Sequence, residues 1–213
     1  MLFVSRRAVI ALALVGGLSV MFSVVTSIAT AADNEELVRS LRAGGLVIVV
    51  RHGATFADQA DTDPLNFDNI AVQRNLNDKG KALATAFGSA FRQIGIPIGK
   101  VYTSKFNRAY ETAVLAGFKD IEKTADLTEG GLVVSPNENN RRAEAFRKML
   151  SVAPQGGTNT ILITHKPNIV DALGKDWFDV KEGEASIFHP ENGSYRLVAR
   201  VQMDEWSRIA AAK

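Results

Sequence analysis

The sequence predicts an α/β fold, a three-layer α/β/α sandwich around a mostly parallel central sheet. Two short runs, residues 46–50 (LVIVV) and 160–164 (TILIT), are almost continuously apolar, as strands covered on both faces are. Stretches of helical period alternate with such runs along the chain, which is the order that a parallel sheet with crossover helices requires.

The individual elements follow from local patterns. Ser135 has the features of a helix N-cap, with proline next and Glu138 three residues later, and Gly95 ends a long apolar stripe of helical period. The predicted helices cover residues 34–43, 77–94, 106–118 and 135–150, with another from about 167. The predicted strands cover residues 46–50, 100–103, 160–164, 185–188 and 195–203. Residues 54–74 are polar and rich in aspartate, which predicts a long loop.

Composition excludes several classes of protein. The chain has 213 residues, 46% of them hydrophobic, and no cysteine, so thiol nucleophiles and thiolate zinc sites are ruled out. Its formal charge is +2, with 25 basic and 23 acidic residues, and two of the arginines stand in an apolar N-terminal segment without acids. Because the rest is balanced, no basic surface for nucleic acid is expected.

The N-terminal segment has the pattern of a secretory signal peptide. Arg6-Arg7 precede a long apolar run, and Ala29 and Ala31 form an A-x-A exit. We therefore expect a signal peptide at residues 1–31, a single domain at residues 32–213, and an exported, periplasmic protein without membrane association after cleavage. The arginine pair also resembles the twin-arginine consensus, so export by the Sec route and export by the twin-arginine route both stay open. A retained membrane anchor is the alternative to cleavage.

Scarce residue types follow three of the predicted strands. Arg51-His52-Gly53 comes directly after the first buried strand, and His165 comes after residues 160–164. Arg108 lies about one helical turn beyond the strand at 100–103. In open α/β sheets ligands bind beyond the carboxyl ends of the strands, so we expect these side chains to meet at one edge of the sheet.

This combination suits the chemistry of a phosphoryl group. Arginine offers planar, permanently charged donors to a phosphate dianion. A neutral imidazole can accept the phosphoryl group, which divides one difficult displacement into two easier steps. A second imidazole, kept protonated by the anion, can donate to the oxygens of the loose transition state, and we expect His165 to hold that proton.

Several motifs also resemble those of a known family, the histidine phosphatase superfamily with its phosphoglycerate-mutase-like fold. Residues 51–53 resemble its RHG signature, and residues 104–113 (SKFNRAYETA) are similar to its second block, S-x-x-x-R-A-x-x-T-A. Residues 163–165 resemble the later strand that ends in histidine, and residues 73–80 resemble a segment common in exported bacterial members. The resemblance extends from about residue 46 to 203.

The resemblance implies roles for individual residues. His52 would be the phosphorylated nucleophile, and Arg51, Arg108 and His165 would form the phosphate pocket. Gly53 would let the backbone approach the phosphate closely. Arg74 would either contact the substrate or pair with acids of its own loop.

The proton donor for the leaving group is less well marked. Lys166 follows His165, so the His-Asp pair of the acid-phosphatase branch is missing. Glu129 lies 21 residues after Arg108, where the mutase-like branch keeps its acid, and Glu184 is the second candidate. Some members of the family work without such an acid, which is the third possibility.

The resulting hypothesis is a secreted phosphomonoesterase that works through a phosphohistidine on His52. The alternatives are a non-catalytic phosphate- or anion-binding envelope protein and, less favoured because its substrates are cytosolic, a mutase. We expect no cofactor and no metal, since the arginines would neutralise the phosphate. The partner would be a phosphorylated small molecule, lipid or protein, and the sequence leaves the substrate and the oligomeric state open.

Overall fold

The computed structural model describes residues 31–131 and 133–212. Apart from Ala31, the predicted signal peptide lies outside these residues. In the described part of the chain, no helix is both long and apolar enough to cross a bilayer.

A single six-stranded mixed sheet forms the centre of the described chain. Its strands are β1 (Val47–Arg51), β2 (Ile98–Ser104), β3 (Ile121–Thr124), β4 (Asn159–Thr164), β5 (Ala185–Glu191) and β6 (Ser194–Val201). They lie in the order β3-β2-β4-β1-β5-β6. The first four are parallel to one another, whereas β5 runs antiparallel to both of its neighbours, β1 and β6. The predicted α/β class and mostly parallel sheet are therefore confirmed.

Six α-helices pack on the two faces of this sheet. They are α1 (Ala31–Ala43), α2 (Asp78–Ile94), α3 (Asn107–Leu115), α4 (Pro136–Ser151), α5 (Lys166–Leu173) and α6 (Glu205–Ala211). Helices α1, α2, α3 and α6 supply one hydrophobic core, and α4 and α5 supply the other.

The alternation of side chains along β1 explains why its sequence is apolar throughout. Ile48 and Val50 enter the core under α2, whereas Val47 and Val49 enter the core under α4. All four are at most 1% exposed. A central strand buried on both faces cannot carry polar residues, so the first arginine and histidine come where the strand ends.

Most predicted elements are present, with shifted ends and two additions. The predictions missed β3, where only Ile121 is apolar, and α6, which begins after the last predicted strand. Ser135 is the predicted N-cap, with its hydroxyl accepting from the Glu138 amide at 3.2 Å. The carboxylate of Glu138 does not complete a capping box but binds Arg141 and Arg142.

Candidate active site

The two buried histidines meet at the carboxyl edge of the parallel strands. His52 follows β1 and His165 follows β4, which are hydrogen-bonded neighbours in the sheet. Each histidine is 1% exposed, and their ring centroids lie 5.1 Å apart at an angle of 59°. The sheet therefore brings together two residues that are 113 positions apart in the sequence.

The orientation of the His52 ring is fixed by its own backbone neighbour. Its Nδ1 lies 2.8 Å from the carbonyl oxygen of Gly53. A carbonyl oxygen can only accept, so in the neutral ring Nδ1 carries the proton and Nε2 keeps its lone pair. None of the described residues forms a hydrogen bond with Nε2.

The surroundings of His52 keep its ring neutral. Burial lowers the pKa of His52 well below its usual value, and the positive charge of Arg108 lowers it further, with smaller contributions from Arg51 and Arg74. The bond to Gly53 acts in the opposite direction. At neutral pH His52 therefore presents an unprotonated nitrogen among three cations.

Arg108 is the most enclosed charged residue of the site, with no exposed surface. Its guanidinium donates from Nη1 to Asp61 at 2.9 Å and from Nη2 to Glu129, and its Nε lies 3.3 Å from Nδ1 of His165. It also lies over the ring of Phe106, 4.4 Å from the centroid. Buried charges of this kind are held only where several partners surround them.

His165 is neutral in the absence of a substrate. Burial lowers the pKa of His165 well below its usual value, and Arg108 is the next cause, followed by the neighbouring His52. The expectation that a bound anion keeps this ring protonated stays a prediction. The sequence placed His165 beside the arginines but did not reveal how completely the fold would bury it.

Arg51 and Arg74 complete the set of cations. Arg51 donates to the carbonyl of Val180 at 2.8 Å, and its Nη2 lies 3.7 Å from Glu182. The Nε atoms of Arg51 and Arg74 are both buried and have no hydrogen-bond partner. Two unpartnered cationic donors in one cluster are costly for a protein unless an anionic ligand satisfies them.

The two candidate acids have different surroundings. Glu129 binds Arg108 and lies 3.5 Å from Nδ1 of His165, so it borders the histidine pair. Glu184 is 3% exposed, and its carboxylate is held by Arg200 at 2.5 Å and Gln202 at 2.8 Å. Of the two carboxylates, only that of Glu129 contacts Arg108 and His165, whereas Glu184 meets the predicted pocket through its backbone carbonyl, which accepts from the Arg51 amide at 3.0 Å.

Helix α2 packs so closely against the segment after His52 that little room is left for a side chain at Gly53. A Cβ added to Gly53 would lie 3.0 Å from the carbonyl oxygen of Gly80, and one added to Gly80 would lie 2.1 Å from that of Ala54. The Gly53 amide donates to Thr112 at 3.2 Å. The first turn of α2 thus packs directly on the segment after His52. Glycine is required at position 80, and a side chain at position 53 would make a tight contact, whereas the predicted contact of Gly53 with a phosphate stays a prediction.

The sequence interpretation missed two carboxylates at the site. Asp61 accepts from both Arg108 and the amide of Arg74, each at 2.9 Å, and Glu182 accepts from Thr55 at 2.9 Å near Arg51. Both residues are distant in sequence from the arginines that they contact. Only the concentration of aspartates in the loop at 54–74 drew attention to this region, and it did not single out Asp61.

The described residues offer no obvious metal centre. Among residues 31–131 and 133–212, no three histidine, aspartate or glutamate side chains are grouped so that they could hold a metal ion.

The fold and the site are similar to those of one class of protein, the histidine phosphatase superfamily. Residues 47–133 match the model of this superfamily (branch 1). The matched part contains Arg51, His52, Arg108 and Glu129, whereas His165 lies beyond it. The resemblance inferred from the sequence motifs is therefore confirmed.

Particular solved structures share the fold. The protein histidine phosphatase SixA, solved as a complex with tungstate, has 18% identity and a TM-score of 0.53 over 75% of this chain and 98% of its own. A SixA-type protein of Agrobacterium tumefaciens has 14% identity and a TM-score of 0.51 over 74% of this chain and 97% of its own. At these identities the likeness is one of fold. No curated protein sequence matches the chain.

Proposed function

We propose that the protein is an exported phosphomonoesterase that transfers the phosphoryl group of its substrate to Nε2 of His52. The observation that carries this proposal is the state of His52, a buried neutral imidazole with Nδ1 held by a carbonyl and Nε2 unengaged beside three arginines. Nucleophilic catalysis by histidine requires this combination of a free lone pair and surrounding positive charge.

The arginines supply the binding energy for a phosphate dianion. Arg51 and Arg74 each have a buried Nε without a partner, and Arg108 contacts both the Arg74 carbonyl and Nδ1 of His165, each at 3.3 Å. Phosphate oxygens would accept from these donors, which are fixed before the substrate arrives. This arrangement supports the view that Arg74 contacts the substrate, the first of the two roles considered for it.

The reaction would then proceed in two displacements. Glu129 would enter the reaction as the neutral acid, having taken a proton from solvent when the dianion binds Arg108. In the first displacement, the Nε2 lone pair of His52 forms a bond to phosphorus while the bond from phosphorus to the leaving oxygen breaks, and that oxygen takes the proton from Glu129. In the second, a water molecule gives its proton to Glu129 and attacks phosphorus, and the bond to Nε2 breaks. Phosphate leaves, and both residues return to their starting states.

His165 is not equipped for the same attack. Its Nδ1 faces the Nε of Arg108 at 3.3 Å, and its Nε2 lies 2.7 Å from the hydroxyl of Ser104. Both nitrogens are therefore engaged, and His165 is assigned to stabilising the transferring group. It would do so as a proton donor once the dianion favours its charged form.

The activity is tested with the purified protein and a generic aryl phosphate such as 4-nitrophenyl phosphate. We expect turnover, and His52→Ala should abolish it, whereas His189→Ala should not, because His189 is exposed on β5. Binding of inorganic phosphate without turnover of any ester would instead indicate the non-catalytic anion-binding protein.

Export is the second part of the proposal and depends on the leader alone. Cleavage after Ala31 would release the domain from its apolar segment. N-terminal sequencing of the protein from the cell envelope should give a chain that begins near Ala32. A chain that begins at Met1 would show that the segment is retained as an anchor.

A further inference from the structure

A chain of buried hydroxyl groups supports His165 from the side opposite to Arg108. Nε2 of His165 lies 2.7 Å from Oγ of Ser104, and that Oγ lies 3.3 Å from Oγ1 of Thr128. The Thr128 hydroxyl reaches the carbonyl of Thr124 at 2.7 Å. Ser104 and Thr128 are at most 1% exposed, so water does not compete for these bonds.

The last acceptor in this chain of hydroxyl groups, the carbonyl of Thr124, determines which group donates in each hydrogen bond. The carbonyl of Thr124 can only accept, so the Thr128 hydroxyl donates to it and accepts from Ser104. The Ser104 oxygen has then used its proton and accepts from two donors, Nε2 of His165 and the amide of Phe106 at 3.1 Å. Nε2 of His165 therefore carries a proton.

The contact at Nδ1 of His165 indicates the same tautomer independently. Arg108 has no acceptor atom, so its Nε can only donate to Nδ1 of His165. A ring that receives a proton at Nδ1 and donates one from Nε2 is a neutral imidazole of a single tautomer. Two separate sets of contacts thus fix the same tautomer.

We propose that Ser104 is a positioning residue that keeps the Nε2 proton of His165 turned into the protein, so that only Nδ1 can exchange a proton with the phosphoryl group. This inference rests on the proposed function, in which His165 stabilises the transferring group. Because the hydroxyl chain ends at a carbonyl, it cannot release a proton and does not conduct one. It holds the ring, and the charge that His165 gains on substrate binding must come through Nδ1.

The charged and titratable groups around His165 lie on the other side of its ring. Arg108 on α3 is 3.3 Å from Nδ1, Glu129 is 3.5 Å from the same atom, and the ring of His52, just after β1, lies 5.1 Å from the ring of His165 between centroids. Arg51 and Arg74 act on it from a greater distance. Ser104 is thus the only side chain of the described residues that forms a hydrogen bond with Nε2. Removing its hydroxyl takes away this bond and those to Thr128 and the Phe106 amide, and leaves the contacts at Nδ1 in place.

The test compares Ser104→Ala with Thr103→Val in the full chain. Thr103, the preceding residue of β2, is also fully buried, but its hydroxyl has no hydrogen-bond partner, which makes it a matched control. We expect Ser104→Ala to lower kcat about 10- to 100-fold, the range found when a residue that orients a metal-binding histidine is removed. Thr103→Val should leave kcat within about twofold, and thermal unfolding of both variants checks that they fold.

The dependence of kcat on pH distinguishes a role of Ser104 in stabilising the charged His165 from a merely structural role. In the proposed function kcat falls at high pH, because His165 then loses the proton with which it stabilises the phosphoryl group. The bond from Nε2 to Ser104 is stronger when the ring is positive, so its loss should move this fall in kcat to lower pH. A fall in kcat that is equal at all pH values would overturn the proposal.

A measurement without substrate distinguishes this proposal from the proposed function. In ¹⁵N-labelled native protein, NMR should show a slowly exchanging proton on Nε2 of His165 and none on Nδ1, and the signal should disappear in Ser104→Ala. A native ring protonated on Nδ1 alone would overturn the proposal whether or not the protein hydrolyses esters. If the protein gives the expected spectrum but hydrolyses no phosphate ester, the proposed role of Ser104 is supported and only the proposed enzymatic function is contradicted.

Discussion

The carboxylate of Asp61 binds the guanidinium of Arg108 at 2.9 Å, so the loop before α2 neutralises one of the cations at the site. The same carboxylate oxygen accepts from the Arg74 amide at 2.9 Å, which ties the loop to the segment that carries Arg74. Asp61 therefore has two roles that one substitution can separate, since asparagine keeps the oxygen and removes the charge.

We expect Asp61→Asn to lower KM for phosphate esters about fivefold or more. A negative charge a few ångströms from the phosphate opposes a dianion by at least about 1 kcal/mol, and asparagine can still accept from the Arg74 amide. Steady-state kinetics and competitive inhibition by inorganic phosphate measure the effect. Asp63→Asn, on the exposed part of the same loop, is the control, and an equal change in both variants would mean that general surface charge is responsible.

The phosphorylated residue can be identified directly. A rapid alkaline quench during turnover, followed by mass spectrometry, should show phosphate on the peptide that contains His52, because phosphohistidine survives base. His52→Ala should lose the phosphopeptide and several powers of ten in turnover. Phosphate on His165, or near-normal turnover by His52→Ala, would contradict the mechanism.

Glu129 should matter in proportion to the basicity of the leaving group. Glu129→Gln removes the proton donor, so we expect hydrolysis of alkyl phosphates to fall about 10²- to 10⁴-fold. Nitrophenyl phosphate needs no proton on its leaving oxygen and should change only a few-fold. Glu144→Gln, on the exposed side of α4, serves as the control. Equal losses on both substrates would remove Glu129 from this step.

The buried histidines should also make the stability of the protein depend on pH. Burial lowers the pKa values of His52 and His165, so in mildly acidic solution both histidines are protonated in the unfolded chain and neutral in the folded protein. The stability is fully present above pH about 6.5, the unfolded value, and is lost as the pH falls below it, by up to about 1.4 kcal/mol per pH unit for each histidine.

Urea unfolding at a series of pH values between 7.5 and 5 measures this slope. Replacing His52 or His165 with asparagine should reduce it, whereas His189→Gln should not, because His189 is exposed. An unchanged slope in both buried variants would mean that other groups cause the acid sensitivity.

The sequence predicted those parts of the site that depend on strand ends. His52 and His165 follow apolar runs that can only be central strands, and parallel strands end at one edge, so their meeting was foreseeable. Arg108 was foreseeable for the same reason, because it lies in the first turns of α3 directly after β2.

Contacts made by the loop could not be predicted in the same way. Asp61 reaches Arg108 across 47 positions from a segment without regular structure, and no periodicity fixes where such a side chain points. The neutral state of His165 in the substrate-free protein could not be predicted either, because it depends on how fully neighbouring elements exclude water, a property of the packed structure rather than of the motif. The edge strand β3 was missed because its Glu122 and Lys123 are exposed and interrupt the apolar pattern.

The close approach of Gly80 to Ala54 fixes the backbone at His52 by contact between atoms, and such contact is insensitive to ionic strength. The pairing of Arg108 with Asp61 is electrostatic, but salt screens it little because Arg108 is fully buried. High salt should therefore leave both the loop that carries Asp61 and the nucleophile in place. A side chain at position 80, 28 residues from His52, should displace the nucleophile at any salt concentration.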